Sequence, residues 1–131
     1  MISLNKNFEE NYSVAIRNAI AEKHDALIGS LNALYEIWQT KQIYLEIKYS
    51  PNKKILDDII YILYNYEPLI SVEEIYEKYF SFITWSSFNS LINEGNRYGI
   101  IAFNFTQSNK KMIKLFEPFG YLYYEIYEDV I

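Results

Sequence analysis

Two short stretches between residues 100 and 116 alternate between apolar and polar side chains. IIAFNFT places Ile101, Phe103 and Phe105 on one side with Asn104 and Thr106 on the other, and MIKLF alternates again after the break QSNK. Successive side chains of a strand point to opposite faces, so a period of two predicts two strands. The polar, basic turn between them, residues 107–111, closes a β-hairpin. The segments before it carry a helical period, so a chain of 131 residues is expected to be mainly α with one small β-hairpin.

Residues 8–49 supply the first helical pattern. Ile16, Ile20, Leu27, Leu31, Leu34 and Trp38 recur three, four or seven apart, which aligns them on one stripe of a helix. His24 falls on that stripe and reads as a half-buried histidine facing a partner helix, since a lone His has no second metal ligand in reach. Gly29-Ser30 either divides the segment into two helices or leaves one long helix. A single long helix needs a cover, and a second copy of itself is the natural one, so Ile20, Leu27, Leu31, Leu34 and Trp38 are the expected dimerisation residues.

Ser50-Pro51-Asn52 marks a boundary, with Ser50 as a cap and Pro51 at the first helical position. KKILDDIIYILYNY then presents Ile55, Ile59, Ile62, Leu63 and Tyr66 as a helix face that ends by Pro68. Ser71-Val72-Glu73-Glu74 is a capping box that opens a short helix running to about residue 81. Thr84 caps a third helix over residues 85–94, with Trp85, Phe88, Leu91 and Ile92 sharing the inner face. Ser86, Ser87, Asn89, Ser90 and Asn93 are left outside, and Gly95 and Gly99 punctuate the exit. Tyr121, Tyr124 and Tyr127 at threefold spacing favour a helix over a strand for the closing segment.

This succession of helix, short helix, turn, helix and hairpin is the order of a winged helix-turn-helix. SVEEIYEKYFSFITWSSFNSLINEGNRYGII resembles the positioning helix, turn and recognition helix of small bacterial and archaeal winged-helix regulators. LINEGNRYGII is similar to the run with which such recognition helices end and enter the wing. The resemblance covers about residues 52–116. The flanking helices resemble the dimerising helices of the MarR-like group and related archaeal regulators. Where MarR-like wings carry Asp-x-Arg, this chain has Asn109-Lys110-Lys111. The resemblance implies a dimeric transcription regulator with a helical extension (1–49), a winged domain (50–117) and a C-terminal helix (118–131).

Charge patterning points the same way. The formal net charge is −5, yet residues 84–115 carry four bases (Arg97, Lys110, Lys111, Lys114) against one acid, Glu94. A helix in the major groove needs short side chains that donate and accept at base edges and phosphates. Asn89 and Asn93 suit adenine, and Ser86, Ser87 and Ser90 suit phosphates or either base type. The acid-free helix N-terminus favours a phosphate, and Arg97 with the three lysines would neutralise backbone charge. The acidic shoulders, residues 51–83 and 116–131, would repel duplex elsewhere. They also support the alternative, a winged helix used for protein–protein contact without DNA.

Other chemistry is sparse. With no cysteine, disulfides, thiol catalysis and Cys-based zinc sites are excluded. Asp57-Asp58 and Glu73-Glu74 are neighbours that point about 100° apart on a helix, which makes them poor acid–base partners. Glu125, Glu128 and Asp129 read as a solvated acidic tail. No phosphate loop, catalytic triad or metal-ligand spacing is present. The expectation is a non-enzymatic protein with no cofactor and no metal. The first residues lack a signal peptide's basic start and apolar run, and no apolar run spans a membrane, so a cytoplasmic location is expected.

Overall fold

The computed structural model describes residues 2–127, with side chains from residue 7 onward. The described residues form α1 (Ile2–Ala21), α2 (Asp25–Lys48), α3 (Lys53–Asn65), β1 (Ile70–Ser71), α4 (Val72–Tyr79), α5 (Trp85–Arg97), β2 (Ile101–Phe105), β3 (Lys111–Leu115) and α6 (Phe119–Tyr127). The protein is thus mainly helical with a small antiparallel sheet. Glu128 and Asp129 of the expected acidic tail lie outside the described residues. None of the described helices is long and apolar enough to cross a membrane.

Contacts divide the chain into two compact units, Met1–Gln39 and Thr40–Ile131. In the first, α1 pairs with the leading part of α2 through aromatic stacking. Phe8 lies on Trp38 with ring centroids 4.9 Å apart, and Tyr12 lies on Tyr35 at 4.5 Å. The break between the helices is not at Gly29, which sits inside α2. It falls at Lys23, which adopts a left-handed φ of 55°. There the Lys23 N–H donates to the Ile20 carbonyl and the His24 N–H to the Ala19 carbonyl, the pairing that terminates many helices. His24 is exposed rather than half-buried against a partner helix. Its Nδ1 accepts from the Leu27 N–H at 3.3 Å, so the imidazole occupies the capping position of α2.

The second unit is built around α3. Leu56, Ile59, Ile60 and Leu63 form its fully buried row, while Ile55 and Ile62 are half-buried and Tyr66 is exposed. The inner face is therefore rotated from the one the sequence suggests, because α5 and β3 on one side and α6 on another both need cover. Likewise α3 begins at Lys53, after Pro51 and Asn52 in a turn. Ser50 Oγ accepts from the Asn52 N–H at 3.1 Å instead of from a residue inside the helix.

The hairpin expected from the alternating stretches is present, and a third strand joins it. Strand order is β1-β3-β2, with Ile70 opposite Ile113 and Ser71 opposite Met112, and with Ile101 opposite Leu115 and Phe105 opposite Lys111. Ser71 ends β1 and also caps α4, accepting from the Glu74 N–H at 3.1 Å. Glu74 does not complete the capping box; its carboxylate pairs with Lys110 instead.

Ile101, Ile113 and Leu115 close the core beneath Phe88, Leu91, Ile92 and Ile75. Burial of each such side chain stabilises by about 1.5–3 kcal/mol, against about 1 kcal/mol for a helix cap, so packing rather than capping fixes α5. Helix α6 crosses α3 with Tyr123 wholly buried between them. Gly120 lets the start of α6 lie against the sheet, since a Cβ there would lie 2.4 Å from the Ile100 carbonyl oxygen and 3.0 Å from the Leu115 Cβ.

Candidate nucleic-acid interface

Helix α5 starts where the sequence places it. Thr84 Oγ1 accepts from the Ser87 N–H at 3.2 Å and donates to Ser87 Oγ at 2.9 Å. The helix runs to Arg97, three residues past the expected end at residue 94. Gly95 does not break it, because the absent Cβ makes room for Ile101, whose Cδ1 would lie 2.5 Å from such an atom. The exit is at Gly99, where φ is +83° and the Ile100 N–H reaches back to the Gly95 carbonyl at 3.2 Å.

The outer face of α5 is polar over its whole length. Ser86, Ser90, Asn93 and Arg97 are exposed and fall four, three and four residues apart, which makes a straight stripe about 16 Å long. Ser87 lies beside it, engaged with the cap. Asn89 is half-buried in a cleft toward the hairpin. Trp85 departs from expectation. It is 43 % exposed rather than part of the inner face; at the first helical position it meets Tyr76, at 5.2 Å between centroids and 81° between planes, and Phe88 at 6.3 Å.

Glu94, the only carboxylate of α5, is not on that stripe. It accepts from Ser50 Oγ at 3.0 Å, from Asn52 Nδ2 at 3.0 Å and from Tyr98 Oη at 3.1 Å. Burial opposes its ionisation, but the donated hydrogen bonds of Asn52, Ser50 and Tyr98 and the nearby Arg97 prevail and hold its carboxyl below the usual value. The acid therefore ties α5 to the turn before α3 and leaves the outer face without negative charge. Sequence alone gave no sign of this role, because the partners lie more than forty residues upstream.

The hairpin presents its bases in three different settings. Its tip is a tight loop in which the Thr106 N–H donates to the Lys110 carbonyl at 3.0 Å and Asn109 adopts φ +63°, a conformation Asn tolerates. Lys110, at the tip, makes an exposed ion pair with Glu74 at 3.4 Å. Lys111 shares a sheet face with Phe103 and Phe105, and its Nζ stands 3.8 Å from the Phe103 ring centroid. Lys114 projects from the opposite face. Lys110, Lys111, Asn109 and Asn89 line one cleft of about 160 Å³ together with Glu73 and Trp85. The structure thus gathers Asn89, Lys110 and Lys111, strings Ser86, Ser90, Asn93 and Arg97 along α5, and sets Lys114 apart.

Of the expected dimerisation residues, Ile20, Leu27 and Leu34 are exposed. Trp38 is half-buried through its stack on Phe8, and Leu31 lines a groove with Phe8, Tyr12 and Ala15 of α1. Among the described residues no group of three or more His, Cys, Asp and Glu side chains is placed to hold a metal ion. Comparison with known proteins finds no matching family model, no matching curated protein and no matching solved structure.

Proposed function

We propose that this chain is a winged-helix DNA-binding protein, acting as a homodimeric transcriptional regulator. The reading is carried by the outer face of α5, a stripe of Ser86, Ser90, Asn93 and Arg97 from which the helix's one carboxylate has been drawn away. The succession α3, β1, α4, α5, β2, β3 with strand order β1-β3-β2 supports it, since this is the order expected of a winged helix-turn-helix. In this reading α5 enters the major groove and the loop at 106–110 is the wing. Lys110, Lys111, Lys114 and Arg97 meet phosphates, and the exposed Ile20, Leu27 and Leu34 meet a second copy of the chain.

Fluorescence anisotropy of labelled AT-rich and mixed-sequence duplexes tests it. With up to four phosphate contacts, the slope of log affinity against log salt is expected to reach roughly −4 between about 50 and 200 mM. Lys110→Glu with Lys111→Glu should weaken binding and flatten that slope by about two. Binding that is unchanged in the double variant, or no binding at low salt, rejects the proposal.

A second reading, contact with a basic protein surface instead of DNA, is favoured by a specific feature. Glu73, Glu74 and Glu77 are exposed on α4, and Glu73 shares a cleft with Lys110 and Lys111. These carboxylates oppose a phosphate backbone at the edge of the same surface. Absence of duplex binding at low salt is the outcome that selects this reading.

A further inference from the structure

Helix α4 and the start of α5 border an open, shallow cleft of about 340 Å³ lined by Glu73, Tyr76, Glu77 and Trp85. Glu73, Tyr76 and Glu77 lie three and four residues apart, so one face of α4 supplies two carboxylates with a ring between them. Tyr76 is a fixed wall, since its Oη donates to the Ile83 carbonyl at 2.6 Å and its ring packs 5.3 Å from Phe88. Trp85 stands nearly perpendicular to it, at 81°, with 43 % of its surface still open.

The bases nearest the two carboxylates are already engaged, including Lys110 and Lys111, which share a neighbouring cleft with Glu73. Lys78 pairs with Glu67 at 3.0 Å, Lys110 with Glu74, and Lys111 lies over Phe103. Glu73 and Glu77 have no ion pair among the described residues, although like charges one helical turn apart repel. Two carboxylates are too few to strip the water from a bare metal ion, whereas ring faces attract cations that are weakly hydrated.

We infer that this cleft binds a small alkylated ammonium ion, with Tyr76 and Trp85 contributing their ring faces and Glu73 and Glu77 the compensating charge. The site does not depend on DNA binding and is tested without DNA. The chain has two tryptophans, so Trp38→Phe leaves Trp85 as the sole indole reporter. Tetramethylammonium chloride is titrated into this variant, against sodium chloride at equal ionic strength, while Trp85 emission is recorded. Calorimetric titration of the unmodified protein with the same salt provides a readout that needs no substitution.

A saturable response to tetramethylammonium, absent with sodium, is expected. Glu73→Gln with Glu77→Gln should weaken it roughly tenfold, the equivalent of about 1.4 kcal/mol. A response that rises linearly, is matched by sodium or survives the double substitution overturns the inference. So does calorimetric silence.

Discussion

Removing the hydroxyl of Tyr123 tests how α6 is held. Tyr123 is wholly buried, and its Oη donates at 2.7 Å to Asp57, a carboxylate only 3 % exposed that also receives the Lys53 ammonium. Tyr123→Phe keeps the ring against Tyr44 and Tyr127, at 6.1 and 5.9 Å, and so leaves packing intact. What is lost is one hydrogen bond to a charged acceptor, which contributes about 1.5–3 kcal/mol. Lys53 still neutralises the carboxylate through Oδ2 while buried Oδ1 loses its donor, so the middle of that range, about 2 kcal/mol, is expected.

Urea denaturation at pH 7 measures this, and the melting temperature should fall by about 10 °C. In a cycle with Asp57→Ala the two effects should be strongly non-additive. The pH dependence provides a second check. Burial first, then the hydrogen bond to Asp57, pushes the Tyr123 phenol well above its ordinary value of 10.0. Its folded value exceeds its unfolded one, so its contribution is complete below about pH 10 and declines as pH rises further. The gap between wild type and Tyr123→Phe should therefore narrow above pH 10. A loss under about 0.5 kcal/mol at pH 7, or additivity with Asp57→Ala, would refute the reasoning.

Glu94→Gln should destabilise by about 1 kcal/mol near neutral pH, as charge-assisted hydrogen bonds become neutral ones at a partly solvated site. Because the folded Glu94 carboxyl lies below its ordinary 4.5, its contribution is present above that value and lost as pH falls through the folded one. Urea midpoints from about pH 6 to 3 should then fall less steeply for Glu94→Gln than for wild type, and parallel curves would count against the role assigned to it. Leu27→Glu with Leu34→Glu should convert a sedimenting dimer to a monomer with unchanged far-ultraviolet circular dichroism. A wild-type protein that sediments as a monomer at its highest soluble concentration disproves the expected dimer.

What the sequence made legible was local. Thr84 and Ser71 announce their helices because a cap needs only its own next turn, and the hairpin shows itself through a period of two. Strand β1 was hidden: two residues carry no period, and their partners lie across the sheet at Met112 and Ile113. Glycines misled in both directions. Gly29 and Gly95 read as breaks but sit inside helices, whereas the first true break uses Lys23 in a left-handed conformation.

The inner stripe of α5 was readable at Phe88, Leu91 and Ile92 and failed at Trp85, which at the helix start meets Tyr76 and Phe88 yet stays 43 % exposed. The candidate interface was legible as composition, Ser and Asn on one side of a helix with bases after it. Which charges remain available was not, because Glu94, Lys110 and Lys111 each take a partner from another element.

Ser71 has a consequence for how the protein assembles. The same extended backbone serves as strand partner to Met112 and as the cap of α4, with its hydroxyl on the Glu74 N–H. An isolated eight-residue helix does not form in water, because its nucleation cost is never recovered. The support that α4 needs therefore comes from packing and from a strand pairing with a segment about forty residues later in the chain, which closes a long loop. Because Ser71 belongs to both elements, α4, the sheet and the hairpin that the sheet projects are expected to gain or lose order together, which hydrogen exchange would show as shared protection.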